Sequence, residues 1–162
     1  MLVYPRSERY AKFSGTLLAH DPYLLAVSYN HPLYKRISAL SREGFEGVEV
    51  DKLANESFVF VRYDDDFLET PYELCVGRAM IPHVRVFTNS QDMHRQVIAE
   101  GQVVGFVAKG SAESYVNDPA ICLVPLADKE FCEDLMVCFK RDKHLSATGK
   151  QLRDYLQDIL SG

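Results

Sequence analysis

Apolar runs and amphipathic stretches alternate along the chain. The segments 23–29 and 57–62 are nearly continuous in apolar residues, which is typical of strands covered on both faces. A break at Asp21-Pro22 is expected to separate segment 23–29 from the preceding apolar run, 16–20. Further strands are predicted over 84–88, 103–108, 120–126 and 134–139.

Helix signals fall between these strands. Thr70 as a cap, Pro71 at the first helical position and Glu73 form a capping box, and they predict a helix that runs to about Ala79. The segment 34–49 is rich in charge and contains two glycines, and it is expected to be a partly helical surface excursion.

Three more helices are predicted further along the chain. Asn89 and Ser90 can cap a helix that closes at Gly101, and a short helix is expected over 109–115. Ser146 opens the last helix. Its apolar side chains share one stripe: Leu152, Tyr155, Leu156, Ile159 and Leu160. The alternation of apolar strands with helices predicts an α/β layered fold with a largely parallel sheet.

Composition narrows the classes of protein. Of the 162 residues, 47% are hydrophobic and 25% are charged, and the formal net charge is −5. Proteins that bind nucleic acid usually concentrate basic residues, and here these are scattered, so direct DNA contact is not expected. The start of the chain lacks the apolar run of a signal peptide, and no stretch is long enough to span a membrane. The sequence therefore favours a cytoplasmic protein.

The sequence lacks common motifs for catalysis and metal binding. A phosphate loop ending at Gly149-Lys150 would need a glycine at position 144, where His144 stands, and no G-x-G-x-x-G, G-x-S-x-G or H-E-x-x-H pattern occurs. Cys75 is expected to be a packed thiol rather than a nucleophile. The four cysteines are expected to be reduced. Their even number also allows disulfides as an alternative. The aspartates 64–66 are interpreted as a solvated loop rather than a magnesium site. No catalytic residue, metal or cofactor is assigned.

Two loops are candidates for ligand binding. The segments 62–67 and 88–90 each join a strand end to a helix start, and ligands of parallel α/β sheets bind outside the carboxyl ends of strands. Backbone N–H groups at such helix starts favour anions. Thr70 and Ser90 can also serve simply as caps, and the two roles are compatible.

Several segments resemble, in order, the effector-binding domain of LysR-type transcriptional regulators. The matches are 21–33 with an apolar strand and a D-H-P-L motif, 50–59 with D-L-A-x-x-P-F-I, 84–90 with a strand entering a helix, 97–107 with V-A-A-G-x-G-V-A-L-L-P, 123–128 with L-R-P-L, and 139–146 with W-R-K-D-R-P-L-S. Lys109 and Ser57 stand where the family has proline, and the excursion at 34–49 is long.

The resemblance implies a three-layer α/β/α sandwich of the type 2 periplasmic-binding-protein kind, mostly its second lobe. Residues 15–140, approximately, would form lobe two, and 146–160 would be the closing helix of lobe one. A full-length regulator begins with a winged helix-turn-helix, a linker helix and the first half of lobe one, none of which is expected here. Contact with DNA would then belong to that missing helix-turn-helix.

The same resemblance implies a small-molecule effector in the cleft between the lobes. Contacts from lobe two would come from the strand-end loops: Tyr63, Asp64, Asp66, Phe67, Asn89, Ser90, Val107, Ala108 and Lys109. Helix N-termini and Lys109 favour a carboxylate, whereas the aspartates oppose an anion, so the charge of the effector stays open.

Effector sensing for transcriptional regulation, without enzymatic activity, is the function that the sequence favours. A transport-type solute-binding protein of the same fold is the first alternative, and an enzyme on this architecture is the second. The apolar stripe of the last helix needs a covering surface, which favours a homodimer.

Overall fold

The computed structural model describes residues 2–3, 13–40, 45–64, 67–68, 70–140 and 145–160. The strands in these residues are β1 (Leu2–Val3), β2 (Phe13–Ser28), β3 (Ser57–Asp64), β4 (Phe67–Leu68), β5 (His83–Thr88), β6 (Gly105–Ala108), β7 (Ile121–Pro125) and β8 (Cys132–Lys140). The helices are α1 (Pro32–Leu40), α2 (Thr70–Gly77), α3 (Gln91–Ala99), α4 (Glu113–Val116) and α5 (Ala147–Leu160), with short 3-10 helices at Val50–Leu53 and Lys109–Ser111.

The chain divides into two compact units. The first unit consists of Met1–Asp21 and Glu133–Gly162, and the second unit is Pro22–Cys132. In the first unit β1 pairs antiparallel with β8, and α5 follows. The Ser146 hydroxyl accepts a hydrogen bond of 3.1 Å from the Gly149 N–H, which confirms Ser146 as the cap of α5.

The sheet of the second unit mixes strand directions. Residues 23–28 of β2 pair antiparallel with β6 on one side and with β7 on the other. On the far side of β6, β3 pairs parallel with β5, and a parallel bridge between Phe58 and Val104 joins β3 to the β6 segment. This bridge is hydrogen-bonded from both sides, because the Val59 N–H donates to the Val104 carbonyl and the Val104 N–H donates to the Ser57 carbonyl, at 3.0 and 2.9 Å.

The α/β fold class is confirmed. In the second unit β3, β5, β6 and β7 run in the same direction and β2 runs against its neighbours, so the sheet is largely parallel in strand direction, as predicted. One predicted detail is wrong: Asp21-Pro22 does not break the strand, because β2 is continuous from Phe13 to Ser28. Proline is compatible with a strand where its missing N–H is not needed for pairing.

Two hydrophobic clusters cover the two faces of the second unit's sheet. Phe58 and Phe60 of β3 join α1 and α2 residues in one cluster, whereas Val59 joins Ile98 of α3 and Tyr115 of α4 in the other. Successive β3 side chains therefore point to opposite helical layers. This arrangement is the expected three-layer α/β/α sandwich, with β3 buried on both faces.

Helix boundaries follow the predicted signals with small shifts. Ser90 caps α3 by accepting a hydrogen bond of 3.4 Å from the Met93 N–H, and Gly101 after the helix has a φ of +79°, as predicted. Thr70 is the first residue of α2 rather than its cap, and α2 ends at Gly77 rather than near Ala79. Shifts of one or two residues are usual at helix ends, because the terminal turns are not set by pattern alone.

The excursion at 34–49 begins as predicted with a helix. The helix α1 covers Pro32–Leu40, and residues 41–44 lie outside the described residues. The excursion returns to the sheet at Val48, whose N–H donates to the Pro125 carbonyl at 2.9 Å and whose carbonyl accepts from the Ala127 N–H at 3.0 Å. Its end therefore lies beside β7.

A close contact between α3 and β6 yields a stability prediction. A methyl group on Gly105 would lie 2.6 Å from His94 Nε2 and 2.8 Å from Ile98 Cδ1, closer than a packed core tolerates. We expect Gly105→Ala to lower the free energy of unfolding by about 1–3 kcal/mol, as overpacking does. Urea denaturation measures this change.

Gly77→Ala is the matched control, because no atom of the described residues lies within 4 Å of the added methyl group at this helical position. Its free energy of unfolding should equal that of the wild type or exceed it slightly. Equal stability of the Gly105→Ala and wild-type chains would contradict the close packing of α3 on β6.

Candidate functional site

The carboxyl ends of three parallel strands meet at one edge of the second unit's sheet. Register pairs Val61 of β3 with Thr88 of β5, and Phe58 lies beside Val104, just before β6. Since β3, β5 and β6 run in the same direction, the loops that follow them leave the sheet at nearly the same level. This edge, where ligands of open α/β sheets bind, is called the carboxyl edge below.

The loop predicted after β3 is largely a strand pair. The strand β3 extends to Asp64, and the two-residue β4 folds back on it, with Arg62 opposite Leu68 and Asp64 opposite Phe67. The backbone of Tyr63, Asp64 and Phe67 thus lies in paired strands at the carboxyl edge, and Asp66 lies outside the described residues. Tyr63, Asp64 and Phe67 were expected in a loop and lie instead in paired strands, since a two-residue strand is too short to show an alternating pattern.

The loop after β5 places its predicted residues at the start of α3. Asn89 is exposed and Ser90 is half-buried. The Thr88 hydroxyl accepts a hydrogen bond of 3.2 Å from the Ser90 N–H, while the Ser90 hydroxyl is occupied as the α3 cap. The Asn89 side chain is therefore the polar group of this loop that faces solvent at the carboxyl edge.

The end of β6 contributes one accessible side chain. Val107 and Ala108 are buried, with 4% and 8% of their surface exposed, and their side chains belong to the two core clusters. Lys109 is exposed and begins the short 3-10 helix Lys109–Ser111. The geometry brings Lys109 to the same edge as Asn89, with Val107 and Ala108 behind it as a rigid wall.

An arginine that sequence reasoning did not assign also lies at this edge. The Arg62 guanidinium carbon is 6.0 Å from the centroid of the Phe87 ring, within the range of a cation–π contact. Arg62 is the third residue from the end of β3, and Phe87 is the next-to-last residue of the adjacent parallel strand β5. A cation at the end of an otherwise apolar strand was the signal in the sequence, and its aromatic neighbour became visible only through the register of β3 and β5.

An ion-pair cluster fixes the loop that follows β7. Asp128 accepts hydrogen bonds from the Val50 N–H at 2.7 Å and from Arg78 at 2.5 Å, and Arg78 also pairs with Glu130. The hydrogen bond that Arg78 donates to Glu130, with the neighbouring carboxylates, raises the pKa of Arg78 above its ordinary value. Because β7 runs parallel to β6, this loop also leaves the sheet at the carboxyl edge.

A buried histidine holds α3 against α4. His94 is fully buried, and its Nδ1 lies 2.7 Å from the Tyr115 hydroxyl, which donates in turn to Gln91 Oε1 at 3.0 Å. Burial lowers the pKa of His94 from 6.5 to about 4, so the ring is neutral at physiological pH. This contact orients the helix that begins directly after Asn89 and Ser90.

Comparison with protein families decides the identity of the fold. The LysR substrate binding domain matches residues 1–161. The chain belongs to this family. The LysR substrate-binding domain is the ligand-binding region of a regulator, and the resemblance found in the sequence is thereby confirmed. Comparison with curated proteins gave no match.

Solved structures of LysR effector domains share the fold. The regulatory domain of CcmR from Synechocystis PCC6803 in complex with 2-PG has a TM-score of 0.72 at 16% identity, over 99% of this chain and 73% of that one. The effector-binding domain of QuiR in complex with shikimate has a TM-score of 0.71 at 13% identity, over 99% of this chain and 71% of that one. The effector-binding domain of BenM with its effector benzoate has a TM-score of 0.74 at 16% identity, over 93% of this chain and 64% of that one.

The length of the chain differs from that of whole LysR regulators. It covers 47% of full-length BenM, about half of that protein.

Within the described segments, none of the helices combines the length and the apolar character needed to cross a membrane.

The neutral state of His94 predicts a pH dependence of stability in this LysR domain. The folded pKa of about 4 lies below the ordinary 6.5, so the unfolded state binds a proton in this window that the folded state does not. Stability therefore falls as the pH decreases from 6.5 to 4. We expect the wild type to lose on the order of 3 kcal/mol more than His94→Gln across this window.

Urea denaturation at several pH values measures the difference between the two chains. Wild type should be the more stable at neutral pH, and its advantage should shrink toward pH 4. A constant advantage over the whole range would contradict a buried, neutral His94.

Proposed function

We propose that this chain senses a small-molecule effector for a LysR-type transcriptional regulator, and that the effector binds at the carboxyl edge of the second unit. The convergence of the β3, β5 and β6 ends at that edge carries the proposal, together with the family match over residues 1–161. Sites of this kind gather a few polar groups on a rigid apolar support.

The contacts that we propose are the predicted site residues with two additions. Lys109 and Asn89 present polar side chains, Ser90 stands at the α3 start, and the β3–β4 pair supplies Tyr63, Asp64 and Phe67. Asp66, which lies outside the described residues, stays in the proposed set from the sequence. Val107 and Ala108 form the wall behind Lys109. Arg62 and Phe87 are the additions, because their cation–π pair lies at the same edge.

A small organic acid is the effector class that we propose. Lys109 and the N–H groups at the start of α3 favour a carboxylate. Neighbours of the same fold are bound to benzoate and shikimate, which are carboxylates, and another to 2-PG. Asp64 and Asp66 would then select against a second negative charge on the ligand.

A non-catalytic role in the cytoplasm is part of the proposal. Cys75, the nucleophile considered from the sequence, is fully buried, and burial raises the pKa of its thiol to about 12, so it is an inert core group. The formal charge of −5 supports DNA contact through a separate helix-turn-helix rather than through this chain.

The lobes of the family provide the proposed division of the chain. We assign Pro22–Cys132, narrower than the 15–140 predicted from the sequence, to lobe two, because these residues form one compact unit with its own core. We assign α5 to lobe one as its closing helix. Leu152, Tyr155 and Ile159 of α5 are more than half exposed, which supports a homodimer that covers them.

Thermal unfolding against organic acids tests the site. Benzoate and shikimate at increasing concentration should raise the melting temperature, whereas uncharged benzamide should not, because only a carboxylate engages Lys109 and the α3 start. Lys109→Gln should remove most of the shift. Lys52→Gln is the control, since Lys52 is 73% exposed in the 3-10 helix Val50–Leu53, outside these loops.

The result that would contradict the proposed site is equally definite. A carboxylate-dependent shift that survives in Lys109→Gln and disappears in Lys52→Gln would place the effector elsewhere. A chain that no organic acid stabilises would contradict the proposed effector class.

A further inference from the structure

The two groups proposed to bind the carboxylate lie on separate segments of the second unit. One is the start of α3, where Ser90 caps the helix and Gln91 is its first residue. The other is Lys109, which begins the short 3-10 helix after β6. A carboxylate can bridge these groups only where the two segments are held at a matching distance. The contact that sets this distance therefore determines how well the site is pre-organised for its ligand.

Backbone hydrogen bonds join Tyr115 of α4 to Lys109. The Ala112 N–H donates to the Lys109 carbonyl at 3.2 Å, and the Tyr115 N–H donates to the Ala112 carbonyl at 2.9 Å. Lys109 and Tyr115 thus belong to one run of helical turns. The Tyr115 side chain is only 1% exposed and belongs to the core cluster that also contains Ile98 of α3. The position of its ring is therefore tied to that of the Lys109 backbone.

The Tyr115 hydroxyl reaches the first residue of α3. It donates a hydrogen bond to Gln91 Oε1 at 3.0 Å, and His94 Nδ1 lies 2.7 Å from the same oxygen. Gln91 is exposed and His94 is fully buried, so the hydroxyl contacts the first turn of α3 at its surface and at its buried side. Such a buried contact is specific in geometry, since a shift of the helix would leave polar groups without partners.

A second contact joins the same two segments farther from the start of α3. Arg95 of α3 forms an ion pair with Asp118, which follows α4. Asp118 also accepts a hydrogen bond of 3.0 Å from the Ala120 N–H. Because Arg95 lies one helical turn beyond Gln91, this ion pair holds the body of α3, whereas Tyr115 holds its first residue. The two contacts can therefore be compared with each other.

We propose that the Tyr115 hydroxyl is the positioning group of the effector site, which holds the start of α3 and the Lys109 segment at the separation that one carboxylate bridges. The inference rests on the proposed function and names a residue on which its affinity depends. Tyr115 is buried and acts without touching the effector, through Gln91 on one side and through the backbone of Lys109 on the other.

Amide NMR titration of the full chain with benzoate tests the role of the hydroxyl. Tyr115→Phe keeps the ring and removes the hydroxyl, and it should weaken benzoate binding about tenfold, the equivalent of one lost hydrogen bond. Asp118→Asn is the matched control, because it breaks the ion pair with Arg95 between the same segments and should bind benzoate like wild type. Equal weakening in both variants would overturn the proposal, since any loosening of α3 would then have the same effect.

Two further readouts separate positioning from a general loss of stability. Gln91→Ala removes the acceptor of the Tyr115 hydroxyl at an exposed position and should weaken benzoate binding several-fold. In wild type the nitrogen signal of His94 Nδ1 should shift with the same Kd as the amides of 88–93, because the ring contacts the hydroxyl that positions them. A His94 signal that stays constant at saturation would overturn the coupling of Tyr115 to the site.

The wild-type titration separates failure of this inference from failure of the proposed function. Benzoate that binds wild type and Tyr115→Phe with equal affinity would keep the site and overturn Tyr115 as its positioning residue. A wild-type chain that benzoate does not bind would overturn both the proposed effector class and the inference that rests on it.

Discussion

The second unit depends on one constraint, the parallel pairing of its strands. The strand β3 pairs parallel with β5, and Phe58 of β3 forms a parallel bridge with Val104, just before β6. It sets three strands in one direction and in nearly one register, so their carboxyl ends and the loops after them reach the same edge. The residues of β3 from Phe58 to Val61 are fully buried, which anchors this register in two cores at once. A slip by one residue would exchange the side chains of the two cores, so the edge is fixed by packing and not by its loops.

The groups at the carboxyl edge are held by contacts behind them. His94 joins α3 to α4 through Tyr115, which sets the direction of the helix that begins at Ser90. Asp128 ties the loop after β7 to Arg78 and to the Val50 N–H. Val107 and Ala108 are buried, so the backbone that leads into Lys109 is packed in the core. A site of this kind combines a few mobile polar ends with a rigid base, which suits reversible recognition of a small molecule.

Local signals in the sequence predicted local structure well. Ser90 and Ser146 were predicted as caps and act as caps, because a cap depends on a few neighbouring residues. The alternation of strands and helices also predicted a layered α/β fold. The continuity of β2 through Pro22 and the return of β4 onto β3 were missed, since both depend on pairing with distant residues. The Arg62–Phe87 contact was missed for the same reason: 25 positions separate the two residues in the chain, and only the register of β3 and β5 joins them.

Amide NMR of the isotope-labelled chain, titrated with benzoate and with shikimate, tests the central claim most directly, because it maps where a small organic acid binds. The account predicts saturable shifts that cluster at the carboxyl edge, in 88–93 and 108–112. Saturable shifts confined to the apolar cavity between α1 and β7, around Tyr34 and Leu123, would contradict it, since the organic acid would then bind outside the loops that follow β3, β5 and β6.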